Sequence, residues 1–237
     1  MRANYRRWTE HPYQGEQVPP KGSPEVAGWP MFFISRGRNN DFLDPSHQRI
    51  NWRIKNPNEI DWEKELSIVE QTLTSLTPRQ ISIAKYWGTG EATEKMTPMI
   101  FNLAKRYRLG SPNVARVQAY VHAAVNDAFV MSWYFKYLWN VARPNQYDRN
   151  LSTVLFTPRF PSYPSAHATV AGCAEAVLSY FFPPESAKIK NVMEECAQSR
   201  LYAGVHFKVD NDEGLRLGRQ IGAMVVRVLR AQNLSIG

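Results

Sequence analysis

From Trp62 onward the apolar positions recur at spacings of three and four, with Trp62, Leu66, Val69, Leu73 and Leu76 forming one stripe. That is the period of a helix with one buried face. Residues 1–60 have no such period. Pro, Gly and Asn recur there among scattered aromatics, with one short extended candidate at Met31 to Ser35 and no helix; the stretch reads as an irregular arm laid over the rest. Further along, Thr77-Pro78, Thr97-Pro98 and Ser111-Pro112 each place a capping hydroxyl before a proline whose missing N–H costs nothing in a first turn. These pairs predict three helix starts. A long helix is then expected from Pro112 to about Ala142, where Pro144 restricts Arg143 to extended backbone. Others are expected from near Ser165 to before Pro183-Pro184, from Glu185 to about Tyr202 with Ala203-Gly204 as the stop, and from near Asp210 to about Ala231. Without a strand pattern or an internal repeat, the expectation is an all-α bundle, one domain over residues 61–237.

Composition narrows the class without naming a function. A chain of 237 residues with 43% hydrophobic and 21% charged positions suits one globular core. The first thirty residues are polar and Pro-rich, lacking the apolar run of a secretory signal. The best candidate for a membrane span, Ala119 to Trp139, is interrupted by His122, Asn126, Asp127 and Lys136. A cytoplasmic protein without a transmembrane segment is therefore expected, and Cys173 and Cys196, both inside helical patterns, read as buried free thiols. The formal charge of +8 favours acidic partners. Its one dense cluster, Lys105, Arg106 and Arg108, falls near a helix end and complements the dipole there, so nucleic acid is not the expected partner. A phosphorylated small molecule, or a phosphate-like anion, is.

Three segments carry the candidate chemistry. Lys136 and Arg143 lie seven residues apart, about 700° on a continuous helix, so both would project from one face about 10 Å apart. A solvated pair of cations has the same spacing. Trp133, one turn earlier, could wall a pocket or fill a core. The second segment, Pro164-Ser165-Ala166-His167, opens an apolar helix whose free N–H groups and positive dipole end suit an anion. Ser165 is a hydroxyl donor or an N-cap, and His167 stands where an imidazole could pass a proton. In the third, Ser199-Arg200-x5-His206-x3-Asp210, Gly204 breaks the helix so that Arg200 and His206 can converge. Asp210 then accepts the Nδ1 proton of His206, caps the next helix, or does both. Three permanent cations and two histidines together suit an oxyanion, because cations hold its oxygens while the imidazoles supply a nucleophile and a proton donor. His11, His47 and His122 fall outside that set.

The composite pattern K-x6-R-P, P-S-x-H, S-R-x5-H-x3-D resembles the signature of the type 2 phosphatidic acid phosphatase (PAP2) and vanadium haloperoxidase superfamily, over about Asn113 to Ile221. The wording around it, Trp133 before Lys136, Phe160-Pro-Ser-Tyr-Pro-Ser and Gly204-Val-His-Phe, is more similar to the haloperoxidase branch. The resemblance implies a helical bundle of that type and a metal-independent hydrolysis of phosphate monoesters. In it His206 attacks phosphorus to give a phosphohistidine, Asp210 orients that imidazole, and His167 serves the leaving alcohol and then water. Lys136, Arg143, Arg200, Ser165 and the backbone at Ala166 would hold the oxygens. The resemblance also implies an alternative in which vanadate is the cofactor, ligated through His206 and acting with peroxide on a halide, with Trp133 and Phe160 as pocket wall. Neither reading calls for a metal cation. The shorter length of this chain than is general for haloperoxidases favours the phosphatase. A non-enzymatic anion-binding protein would leave two histidines without a use. Ala166 departs from the family's Gly, which puts the tightness of the backbone cradle in question.

Overall fold

A computed structural model describes residues 4–38 and 41–234, so the first three residues of the expected arm lie outside it. Among the described residues there are eight α-helices: α1 (Trp62–Thr74), α2 (Pro78–Gly88), α3 (Ala92–Arg106), α4 (Ser111–Trp139), the single turn α5 (Pro144–Tyr147), α6 (Ala166–Phe181), α7 (Ser186–Tyr202) and α8 (Lys208–Ala231). The all-α expectation holds. Between Ser35–Arg36 (β1) and Phe42–Leu43 (β2) runs a minimal antiparallel pair, Ser35 opposite Leu43.

Local signals explain some helix starts and mislead at others. Thr77 and Gln80 form a reciprocal capping box at α2, the Gln80 N–H donating to the Thr77 hydroxyl at 3.3 Å and the Thr77 N–H to Gln80 Oε1 at 2.8 Å. At α4 the capping position belongs to Gly110, and Ser111 is already helical without a side-chain cap. Thr97-Pro98 does not start a helix: α3 begins at Ala92 and carries Pro98 inside it. Ala92, Met96, Ile100 and Leu103 are buried along one stripe that crosses the proline. Burying those side chains, at about 1.5–3 kcal/mol for each large one, outweighs the roughly 3 kcal/mol that an interior proline costs.

The arm contains short 3-10 turns at Trp8–Glu10, Pro24–Gly28 and Pro57–Glu59, where no helix was expected. Met31 to Ser35 is not a strand as a whole, since the ladder starts only at Ser35. The amides of Phe32, Phe33 and Ile34 are engaged elsewhere: all three donate to the carboxylate of Asp127, buried in α4, at 2.8, 2.7 and 3.2 Å. Nearer the N-terminus, Arg7 bridges Val141, while the Ala142 N–H donates to Arg6 O and the Trp8 N–H to Asn140 O. These bonds pin the segment that leads into Arg143.

The core lies among α3, α4, α6, α7 and α8, with Val170, Ala174, Val177, Leu217, Ile221 and Val225 wholly buried. Along α8, Gly214, Gly218 and Gly222 fall every fourth residue against α6. A methyl at Gly214 would lie 2.7 Å from Ser165 O, and one at Gly222 would lie 2.8 Å from Cys173 O. Only glycine lets the backbones approach so closely, and the approach sets the start of α6 against the start of α8. Cys173 and Cys196 are free and buried.

Candidate active site

The long helix stops at Trp139, three residues short of expectation. Asn140 takes left-handed backbone at φ 55° and ψ 41°, which Asn tolerates, and its N–H closes on Lys136 O at 2.7 Å. Lys136 and Arg143 therefore do not share a helical face. Arg143 sits in extended backbone before Pro144, and both side chains reach one place because the chain turns between them. Lys136 Nζ donates to the carbonyls of Pro161 and Ser162 at 2.8 and 2.7 Å. Arg143 donates from Nε to Phe160 O at 3.0 Å and from Nη1 to Val205 O at 2.7 Å. Both cations lie over the Phe160 ring, at 5.2 and 4.9 Å from its centroid, and Trp133 packs against that ring at 4.8 Å.

Gly204 does what its place in the sequence suggests. At φ +73° it ends α7, with its N–H on Leu201 O and the Val205 N–H on Arg200 O, the bonding of a Schellman stop. Arg200 is thereby left at the helix end and His206 enters the next turn. Because α8 starts at Lys208, Asp210 is its third residue rather than its N-cap, and the carboxylate reaches back to the Phe207 N–H at 3.1 Å. It also accepts from His206 Nδ1 at 2.7 Å. With Nδ1 donating, His206 Nε2 keeps its lone pair, and Arg143 Nη1 donates to it at 2.8 Å.

Lys136, Arg143, Ser165, Arg200 and His206 are each under 5% exposed, whereas His167 keeps partial access to solvent. Three cations thus stand in a dry site against the one carboxylate of Asp210. Burial lowers the proton affinity of Lys136 well below the ordinary lysine range, with the Arg143 charge adding to the effect. Burial and Arg143 bring Arg200 down to about 10. Asp210 is pushed up to about 7 by burial, against the opposing pull of the Ser162 hydroxyl and Lys136. His206 falls well below its usual value through burial and the Arg143 charge, and His167 falls to about 3 through burial and Arg200. Arg143 Nη2, Arg200 Nε and Arg200 Nη1 are buried without an acceptor. Guanidinium donors left so are costly, and a tetrahedral or trigonal oxyanion is what would satisfy all three.

At the start of α6, Ser165 accepts from the Ala168 N–H at 3.4 Å, so it caps the helix, while its own N–H is engaged by Asp210 O at 2.9 Å. The first N–H groups of α6, those of Ala166 and His167, are the ones a helix leaves unpaired. Ala166 is helical and not among the positive-φ residues, so no glycine-only backbone is demanded there.

Sequence reasoning missed several participants. His167 Nε2 donates to Trp87 O, at 3.2 Å, near the carbonyl end of α2. That bond leaves Nδ1 as the nitrogen free for chemistry. Gly88 follows, where a methyl would come 3.3 Å from Arg200 Nη1. The hydroxyl of Tyr13, in the arm beside Arg143, links Trp8 Nε1 to Pro158 O, at 2.7 and 2.8 Å. Ser162 Oγ donates to Asp210 Oδ2 at 2.5 Å. His122 lies elsewhere, beside Thr97.

The helical fold and this cluster of buried cations and imidazoles can be compared with known proteins. Residues 117–234 match the family model of the PAP2 superfamily, and the chain belongs to that superfamily. Among solved structures it is similar to a bacterial vanadium-dependent iodoperoxidase, at 21% identity and a TM-score of 0.65, over 89% of this chain and 62% of that one. It is also similar to the apo form of a bacterial vanadium-dependent chloroperoxidase, at 15% identity and a TM-score of 0.72, over 97% and 61%. A transmembrane PAP2-type phosphatidylglycerolphosphate phosphatase from Bacillus subtilis aligns at 16% identity and a TM-score of 0.55, over 72% and 86%. The chain spans about three fifths of the length of the haloperoxidases it resembles, and the likeness is one of fold. No curated protein sequence matches. Among the described residues no helix is long and apolar enough to cross a membrane.

Proposed function

We propose that the protein hydrolyses phosphate monoesters at His206. The observation that carries this reading is the set of buried guanidinium N–H groups without acceptors, on Arg143 and Arg200, beside an imidazole whose other nitrogen is tied to Asp210. A phosphoryl group entering there takes over the Arg143 donor now on His206 Nε2. Nε2 attacks phosphorus, the P–N bond forms as the P–O bond breaks, and the departing alkoxide takes a proton from His167. Water then gives a proton to His167 and cleaves the P–N bond, releasing phosphate. Charge on the equatorial oxygens of the transition state is met by Lys136, Arg143, Arg200 and the N–H groups at the start of α6, where most of the rate gain arises. In the free site burial, reinforced by the charge of Arg200, keeps His167 neutral at pH 7. The incoming dianion offsets those charges, so His167 takes up its proton together with the substrate.

A second reading, haloperoxidase activity, rests on the same donors and on the Trp133–Phe160 pair beside them. The residues fit vanadate as well as phosphate: Lys136, Arg143, Arg200 and the α6 amides would hold its oxygens, and His206 its metal. Bound vanadate would supply activation of peroxide. Hydrolysis of p-nitrophenyl phosphate and vanadate- and peroxide-dependent bromination, measured on one metal-stripped preparation, separate the two. Trapping of a phosphohistidine that is absent in His206→Ala supports the phosphatase; bromination without hydrolysis overturns it.

A further inference from the structure

Of the two serines in Phe160-Pro-Ser-Tyr-Pro-Ser, Ser165 belongs to the P-S-x-H motif and Ser162 does not. Yet it is Ser162 that touches the carboxylate. Its hydroxyl donates to Asp210 Oδ2 at 2.5 Å and stands 3.5 Å from His206 Nδ1. Its backbone is held on both sides, the N–H on Val141 O at 2.9 Å and the carbonyl under Lys136 Nζ at 2.7 Å. The side chain is fully buried.

Asp210 Oδ1 is buried with no partner, so the orientation of the carboxylate depends on what Oδ2 receives. Oδ2 receives three donors: Ser162 Oγ, His206 Nδ1 and the Phe207 N–H. The Phe207 amide is the longest of the three, at 3.1 Å, and comes from Asp210's own helix start. Ser162 is the donor that comes from a separate segment and fixes the carboxylate relative to the rest of the site. A serine hydroxyl has one proton. Spent on Asp210, it leaves Asp210 as an acceptor for His206 Nδ1–H and discourages the opposite tautomer, in which two lone pairs would face each other at 2.7 Å.

We propose that Ser162 is a positioning residue, whose hydroxyl locks Asp210 in the orientation that keeps the His206 proton on Nδ1 and the Nε2 lone pair toward the anion site. The proposal rests on the reading of His206 as nucleophile. Ser162 acts through Asp210 and His206, without contact to the reacting atoms.

Ser162→Ala in the full chain removes the hydroxyl while keeping the backbone bonds to Val141 and Lys136. Two readouts are needed. The first is the low-field proton NMR signal of His206 Nδ1–H, assigned by its loss in His206→Ala, which reports the His206–Asp210 bond whether or not the protein turns over any substrate. The second is kcat and KM for p-nitrophenyl phosphate. The expected result is a displaced or exchange-broadened Nδ1 proton and a kcat lower by about 10- to 100-fold, the usual cost of losing a group that orients a reactive residue, with KM changed little. Ser162→Thr, which keeps the hydroxyl, should recover both. Circular dichroism establishes that the variants fold, and Ser162→Cys, of similar shape but weaker donor strength, replaces Ser162→Ala if that variant does not. An unchanged Nδ1 signal in Ser162→Ala overturns the proposal. Absence of hydrolysis by the wild-type chain overturns the phosphatase reading instead, and leaves the NMR comparison to decide the role of Ser162.

Discussion

Residues 117–234, which match the superfamily, and the residues before them build the same site by different chemistry. The matched stretch supplies the permanent charges and both imidazoles: Lys136, Arg143, His167, Arg200, His206 and Asp210. The earlier stretch supplies neutral groups and rigid attachment. Trp87 gives a carbonyl to His167, Tyr13 stands by Arg143, and Arg6 and Trp8 pin the backbone at 140–142. Charged groups alone would make an anion trap. A neutral carbonyl from the earlier stretch, Trp87 O, decides which nitrogen of His167 carries the proton, whereas the Asp210 carboxylate of the matched stretch decides it for His206.

The largest expected effect breaks the matched region. His206→Ala should abolish turnover of every ester and remove tight vanadate binding, measured by competition with phosphate. Unchanged vanadate affinity would mean the site is only electrostatic. Next in size, His167→Ala should cost an alkyl phosphate roughly 10²- to 10⁴-fold, the range for general acid–base catalysis, and a nitrophenyl ester less, with trapped phosphoenzyme accumulating. Equal losses for both esters would remove His167 as the acid.

The α6–α8 seam comes third. Gly218→Ala would push a methyl into the Thr169 carbonyl, so unfolding by urea should show a loss of about 1–3 kcal/mol. A variant as stable as wild type would mean that the two helices part easily.

pH tests the same comparison through stability. Both histidines have folded-state proton affinities lowered from the ordinary histidine range, His167 to about 3. Below about pH 6.5 the unfolded chain therefore binds two protons that the folded histidines refuse, against one that the folded chain keeps on Asp210, raised to about 7, so the free protein should lose stability as pH falls from 6.5 toward 3. Saturating phosphate should flatten that slope, because the anion raises His167. Urea midpoints across this range, with and without phosphate, are the measurement, and a slope unaffected by phosphate would dissociate His167 from the anion.

The smallest effect is expected outside the matched region. Tyr13→Phe loses the hydroxyl between Trp8 and Pro158 and should cost about 1 kcal/mol in stability, with kcat within a few-fold of wild type. A loss as large as that of His167→Ala would mean that the arm takes part in the chemistry.

The helical period and three motif blocks were legible in the chain because they depend on residue type and spacing, which a sequence displays directly. Cations, imidazoles and a carboxylate at those intervals make an oxyanion site the expectation whatever path the backbone takes between them. That path departs from the local sequence signals in two places. Pro144 by itself predicts one helix carrying both Lys136 and Arg143, but Asn140 turns the chain four residues earlier; Asn enters left-handed backbone more readily than most residues without having to. Thr97-Pro98 looked like a helix start because the capping rule is local, and the apolar stripe from Ala92 to Leu103 outweighed it.

Other features had no sequence signal of their own. Trp87 O and Val205 O are backbone carbonyls, which every residue possesses, so only the packing of α2 and the turn after Gly204 selects them as partners for His167 and Arg143. Ser162 is one hydroxyl among many until the tertiary structure sets it 2.5 Å from Asp210. The sequence by itself determined which charged and titratable groups the protein has, since their chemistry is intrinsic to the side chain. Tertiary structure decided which nitrogen carries each proton and which guanidinium donors stay unpaired, because both depend on distances between segments far apart in the chain.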